Sequence, residues 1–334
     1  MLGRSVTGMT RLGYQIPNFT YPGTSPSELF PMVVRQARAA EASGFDTVLV
    51  MDHFYQLPGL GAPDHEMLEC YTLLSALAQH TARVRLSALV TGNTYRNPAL
   101  LVKEVTTLDH VSAGRAQLGI GAGWFQLEHD SLGFQFGTFS DRFAKLEEAL
   151  QIIRGMLAGS RPSVAGHWYQ VNEAINSPAP LSKIPIMIGG GGEKKTLRLV
   201  ALYADESNLI CHPSEVPRKL DALAAHCASL GRDRSEVVVS LLASCCIAPT
   251  HDEAVADAEA FLAARGIDLS ALSEAEAEQL RAQVVIGDPD EVGEALSRRM
   301  IDGVDGLTVN APANGHIEGR VELLGQVLRK VVGT

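Results

Sequence analysis

Four short segments combine residue types that could bind or transform a small molecule, and each follows an apolar run. Met51-Asp52-His53-Phe54 sets a carboxylate beside an imidazole. Histidine titrates near neutrality, so the pair could serve as a general acid/base unit. A turn cap at Asp52 with a solvated His53 fits the same residues. The stretch Val90 to Pro98 (VTGNTYRNP) offers backbone amides, the Thr91 and Thr94 hydroxyls and the Asn93 amide to grip a heterocycle, or is a loop ending in a helix cap at Asn97. Gly119 to Trp124 (GIGAGW) lets a ligand approach the backbone closely. It lacks the acidic partner of a dinucleotide fingerprint. Trp124 offers either a stacking face or a buried side chain. Gly189 to Lys195 (GGGGEKK) precedes a helical pattern. Free N–H groups at the helix N-terminus, their partial positive charge and two lysines could hold a phosphate there. A glycine-rich connector with solvated lysines is the plainer alternative, and the ending of a P-loop is missing.

Other chemistries find little support. His110, His167, His212 and His316 are scattered, without metal-ligand spacing. The five cysteines (Cys70, Cys211, Cys227, Cys245 and Cys246) form no CxxC, and no GxSxG elbow occurs. Scattered thiols fit a reducing cytosol. A net charge of −10 argues against broad contact with nucleic acid or a membrane surface. No apolar run is long enough to span a bilayer, and Met1 to Thr10 lacks the apolar region of a secretory signal.

The elements that must position these segments alternate almost throughout the 334 residues. Eight strands are expected: Leu12–Ile16, Thr47–Met51, Val84–Thr91, Ala116–Gly121, Ile184–Gly189, Ser207–Ile210, Val237–Ala243 and Gly306–Asn310. Helical periodicity fills the intervals, as in Phe143, Leu146, Leu150, Ile153 and Leu157. Asn97-Pro98, Thr250 to Glu253 and Asp288-Pro289 carry helix-start signals. With no break in composition, the pattern points to an α/β chain forming a single closed (β/α)₈ barrel. A doubly wound open sheet is the alternative. Residues 1–10 are a tail and residues 11–334 one domain, with excursions near 160–182 and 250–285. The first excursion, rich in Pro, Gly, aromatics and Asn, is expected to hold a hairpin; the second is Ala/Glu-rich and helical to about Gln283.

Together these pieces resemble the coenzyme F420-dependent branch of the luciferase-like monooxygenase superfamily. The matching residues are Val48–Phe54 (VLVMDHF), the block Thr91 to Gly123 (TGNTYRNPALLVKEVTTLDHVSAGRAQLGIGAG), the segment IMIGGGGEKKTLRLVALYADESN and Ile286–Val292 (IGDPDEV). The resemblance spans about residues 11 to 332. It implies a dimeric (β/α)₈ barrel with flavin or deazaflavin at the strand mouths. Asp52 and His53 match the catalytic pair of sugar-phosphate dehydrogenases of this type, where the histidine moves a proton to or from substrate. Leu89, Val90 and Thr91 match a bulge with a non-proline cis peptide behind the deazaflavin, and Asn93 in the same turn joins the cofactor-binding set. Gly121 and Gly123 match cofactor-contacting backbone, with Trp124 beside the ring. Gly190, Gly191, Gly192 and Glu193 match the phosphate-binding turn, and Lys194 is placed to aid the phosphate or an anionic tail.

One departure bears on the substrate. Where those dehydrogenases carry a glutamate after the strand-four glycines, this chain has Trp124, and no arginine/lysine cluster for a substrate phosphate is evident. The implied substrate is therefore an apolar molecule, a carbonyl, enone or alcohol, rather than a sugar phosphate. The implied activity is hydride transfer with F420. An FMN-dependent monooxygenase served by a separate reductase, or a non-catalytic F420- or flavin-binding protein, are the alternatives.

Overall fold

The computed structural model describes residues 11–265, 273–274 and 284–333. The N-terminal tail and most of the stretch between Gly266 and Gln283 lie outside the described residues.

Eight parallel strands close into a barrel: β1 (Leu12–Ile16), β2 (Thr47–Val50), β3 (Arg85–Ala88), β5 (Ala116–Gly121), β8 (Ile186–Gly189), β9 (Glu206–Leu209), β10 (Val238–Ile247) and β12 (Gly306–Asn310). Closure comes from β10, which pairs with β9 on one side and β12 on the other, while β12 pairs with β1. Most strands are buried along their whole length, which is why they read as apolar runs without alternation.

Helices α1 (Leu29–Ala42), α2 (Cys70–Ala78), α3 (Pro98–Val111), α5 (Phe139–Leu157), α6 (Thr196–Tyr203), α7 (Val216–Ser229), α8 (His251–Ala263), α9 (Pro289–Ser297) and α10 (Arg320–Val332) surround the barrel. Their starts follow local sequence. Asn97 Oδ1 accepts from Ala99 N at 2.9 Å, and Pro98 occupies the first turn of α3. Thr138 and Asp141 form a reciprocal capping box at α5, as do Asp288 and Glu291 at α9. Between α5 and β8, strands β6 (Val164–Ala165) and β7 (Gln170–Val171) form an antiparallel hairpin.

Three details differ from the sequence reading. The run Val84–Thr91 is not one strand: β3 ends at Ala88, the Leu89–Val90 peptide is cis, and β4 (Thr91–Gly92) then pairs with β5. A short helix, α4 (Gln126–Leu132), follows β5; seven residues carry too little periodicity to announce it. A further parallel strand, β11 (Val284–Gly287), pairs with the last residues of β10, beyond the part that joins β9. Its four residues directly follow the Ala/Glu-rich stretch that masked it in sequence.

Inside the barrel, Leu49, Leu89 and Met187 cluster with Val90 and Leu242. Further polar groups are paired within the barrel: Gln117 Nε2 donates to Glu206 Oε2 at 2.8 Å, and Asn208 Nδ2 to Ser240 Oγ at 2.9 Å. The interior is packed rather than open, so a ligand must bind at the strand ends.

Candidate active site

The C-terminal strand ends enclose a cavity of about 620 Å³, within the ~300–1,000 Å³ usual for small-molecule sites. Asp52, His53, Leu89, Val90, Thr91, Gly121, Gly123, Trp124 and Gly190 line it, whereas Asn93, Gly191, Gly192, Glu193 and Lys194 do not. Asn93 is buried behind the wall, its backbone N–H donating to the Gly121 carbonyl at 3.0 Å and its backbone carbonyl accepting from the Tyr169 hydroxyl. The outer part of the glycine turn packs against α7. Lys219 Nζ donates to the Gly191 carbonyl at 2.8 Å, and Glu193 pairs with Arg218 at 3.0 Å. Lys194 is exposed.

The two residues of the Asp52-His53 pair serve different networks. Asp52 is buried and bound bidentately by Arg96 at 2.6 and 3.0 Å, with Gly92 N donating to Oδ2 at 3.2 Å. Burial lifts the Asp52 carboxyl above the ordinary carboxylate range, against the pull of Arg96. Arg96 also faces Glu69 at 2.6 Å and Glu104 at 3.1 Å. Burial works against its charge, but Asp52 outweighs that and raises the guanidinium further. The sequence pairing of Asp52 with His53 as one acid/base unit is therefore not what the side chains form. Asp52 ties the end of β2 to β4.

The partner of His53 is Glu128, on α4. Glu128 Oε2 lies 2.9 Å from His53 Nδ1 and also accepts from the Tyr95 hydroxyl. Its Oε1 accepts from the amides of Phe54 and Tyr55. Burial alone would raise this carboxyl, but the bonds from His53, Tyr95 and Tyr55 outweigh it and hold it below the ordinary range. An ionised carboxylate only accepts, so Nδ1 carries the hydrogen and Nε2 is left for the cavity. Sequence reasoning missed Glu128. The available signal was an acidic residue at the third helical position after a strand-ending glycine turn, where it favours a helix N-terminus. Reading Trp124 as the replacement for a glutamate drew attention one turn too early.

Trp124 is 57% exposed at the mouth, which decides against a buried role. Its ring meets that of His53 edge-on at 5.8 Å. The glycines of β5 and β8 act first on the bulge. A Cβ on Gly121 would lie 2.9 Å from Val90 Cγ2, and one on Gly189 2.7 Å from Val90 Cγ1. Both leave room for Val90 to stand in the cavity wall. Gly190 has φ of +116°, a conformation that strains any other residue.

The opposite wall holds Gly190 and Thr196 at the start of α6 and Arg142 from α5. Arg142 Nε donates to the Gly123 carbonyl and Nη1 to the Gly137 carbonyl, each at 3.0 Å, and the guanidinium lies 3.9 Å over Phe136. No carboxylate among the described residues pairs with it. Lys195 instead bonds Ser140 at 3.1 Å. This wall suits an anionic group, and the apolar wall formed by Val90, Leu89 and Met51 suits a flat ring.

The chain is similar to known proteins. The chain is 30% identical over 253 residues to an F420-dependent glucose-6-phosphate dehydrogenase of Microbacterium testaceum, covering 73% of this chain and 70% of that protein. It is 27% identical to the Mycobacterium leprae enzyme of the same name, over 93% and 94% of the two chains. Among solved structures, an F420-dependent secondary alcohol dehydrogenase in complex with an F420–acetone adduct superposes with a TM-score of 0.79. That match covers 97% of this chain and 99% of the other at 20% identity, and so speaks for the fold alone. The family model for luciferase-like monooxygenases matches residues 10–306, and the chain belongs to that family.

Proposed function

We propose that this protein is an F420-dependent oxidoreductase that transfers a hydride between the deazaflavin and a small organic carbonyl, enone or alcohol. The observation that carries the reading is the His53–Glu128 pair facing the same cavity as Gly190, Thr196 and Arg142. It joins a proton-transfer group to an anion-accepting wall. The F420-dependent names of its relatives support the cofactor.

When bound, F420 supplies the centre that donates or accepts the hydride. Gly190, Thr196 and Arg142 would hold its phosphate, and Leu89 and Val90 would support its ring. His53 Nε2 would take the hydroxyl proton as an alcohol is oxidised, or deliver a proton to the oxygen as a carbonyl is reduced. Glu128 holds the ring in the required tautomer and orientation through Nδ1. Asp52 is a positioning residue for the β2 end. Arg142 is the one cavity-lining side chain, among those described, able to offer an unpaired positive charge. If the cofactor phosphate occupies it, an uncharged substrate fits better than a sugar phosphate.

Titration of the cofactor-free protein with F420 and with FMN, followed by Trp124 fluorescence, tests this. The expected result is micromolar or tighter F420 binding with FMN at least ~10-fold weaker, about 1.4 kcal/mol. A preference for FMN overturns the assignment.

A further inference from the structure

Three neighbouring strands set polar side chains in a row on the cavity floor. Gln15 of β1 is in register with Asn310 of β12, and Asn310 with Ser244 of β10. All three line the cavity. None takes part in the His53–Glu128 pair or the anion-accepting wall.

Their hydrogen bonds fix which atom is left over. The Leu89 carbonyl can only accept, so the group 3.3 Å from it is the Gln15 amide nitrogen, which donates. Gln15 Oε1 must then be the acceptor for Asn310 Nδ2, at 2.7 Å. The chain of bonds leaves Asn310 Oδ1 as an acceptor, on a side chain only 6% exposed, and it has no hydrogen-bond partner. An unsatisfied buried acceptor is unfavourable, and a bound N–H or O–H removes the penalty. Ser244 adds a hydroxyl one strand away, which can donate or accept. A group that gives one hydrogen bond and receives another matches this pair.

We infer that Gln15, Asn310 and Ser244 form a subsite for a hydroxyl or amide N–H of the bound molecule, apart from its reacting carbon. The inference rests on the proposed use of this cavity for substrate and cofactor. It narrows the substrate to a largely apolar carbonyl or alcohol bearing one further hydrogen-bond donor. The same donor chemistry is also present on the deazaflavin ring and its polyol chain, and the test separates the two sources.

The probes are cyclohexanone and 4-hydroxycyclohexanone, titrated calorimetrically into the F420-bound protein. The wild type is expected to bind the hydroxylated probe at least ~10-fold more tightly. Asn310→Ala should bring the two within about twofold, leaving F420 affinity unchanged. Ser244→Ala, on a less buried position, should give a partial loss and remains informative if Asn310→Ala fails to fold. An F420 affinity lowered about tenfold in Asn310→Ala, with no preference between probes, supports the subsite and assigns the donor to the cofactor. Equal affinity for the probes, or no binding of either, with F420 affinity unmoved in Asn310→Ala, overturns the inference. Failure of F420 to bind at all sinks the cofactor reading instead; the probe comparison is then made on the cofactor-free protein, where the same preference is required.

Discussion

The two sides of the cavity hold their polar groups in opposite ways. On the side of β2, β4 and α4, Asp52 receives Arg96 and the Gly92 amide, and Glu128 receives His53, Tyr95 and two backbone amides. On the side of β8 and α6, Gly190 and Thr196 present small groups, and Arg142 is anchored through two carbonyl oxygens and the Phe136 ring, with no carboxylate paired to it among the described residues. The first side is organised before any ligand arrives, as a group that must steer a proton requires. The second keeps its charge uncommitted, as a binding wall requires.

Breaking the organised side should have the larger consequence. Glu128→Gln keeps the size of the side chain but removes the negative charge that faces His53 Nδ1. General acid–base contributions run to about 10²–10⁴-fold, so kcat/KM is expected to fall about 100-fold or more. F420 affinity should stay within about threefold, since Glu128 does not belong to the anion-accepting wall. The pH dependence of kcat should change as well, which a merely structural role would not produce. Steady-state kinetics with less than a tenfold loss would remove Glu128 from the proton-transfer unit.

Weakening the open side should act on binding alone. Arg142→Gln is expected to raise the Kd for F420 about tenfold, while the phosphate-free deazaflavin core binds unchanged. If both ligands lose affinity equally, Arg142 supports the cavity wall through Gly123 and not the anion. The ratio of the two losses, read by fluorescence titration, is the useful quantity.

The sequence exposed these two sides unequally, for a physical reason. Strand ends and glycine turns are local, so His53, Val90, Gly121, Trp124 and Gly190 could be placed at the barrel mouth from pattern alone. Partnerships between elements are not local. His53 and Glu128 are 75 positions apart, and Asp52 and Arg96 are 44 apart. Adjacency along the chain favoured Asp52 as the partner of His53. The structure defeats that pairing, because just beyond the end of β2 Asp52 is bound by Arg96 and His53 by Glu128. The glycine turn is legible in part. Its composition fits an anion site throughout, but does not show that Lys219 and Arg218 of α7 engage the Gly191 carbonyl and the Glu193 carboxylate. Arg142 contributes from α5, an element the turn does not reveal.

The smallest expected effect concerns stability, and it distinguishes the two buried carboxyls of the organised side. Glu128 is held below the ordinary carboxylate value of 4.5 in the fold. Its contribution to stability is therefore fully present above that value and is lost as the pH falls through its folded value. Asp52 is shifted upward by burial, so its contribution has the opposite sign, favouring the fold at lower pH and fading as the pH rises through its folded value. Glu128→Gln removes only the first. At neutral pH the variant should melt a few degrees lower than the wild type, roughly 2–4 °C per 1 kcal/mol for a chain of this order of size. The gap between the two melting curves should narrow as the pH falls below about 4.5 and close once it passes below the folded value of Glu128, where the protonated side chain approaches glutamine in charge. Calorimetric scans between about pH 3.5 and 7 read this directly. A gap that stays constant across the range would mean that shape, and not the charge facing His53, is what Glu128 contributes to the fold.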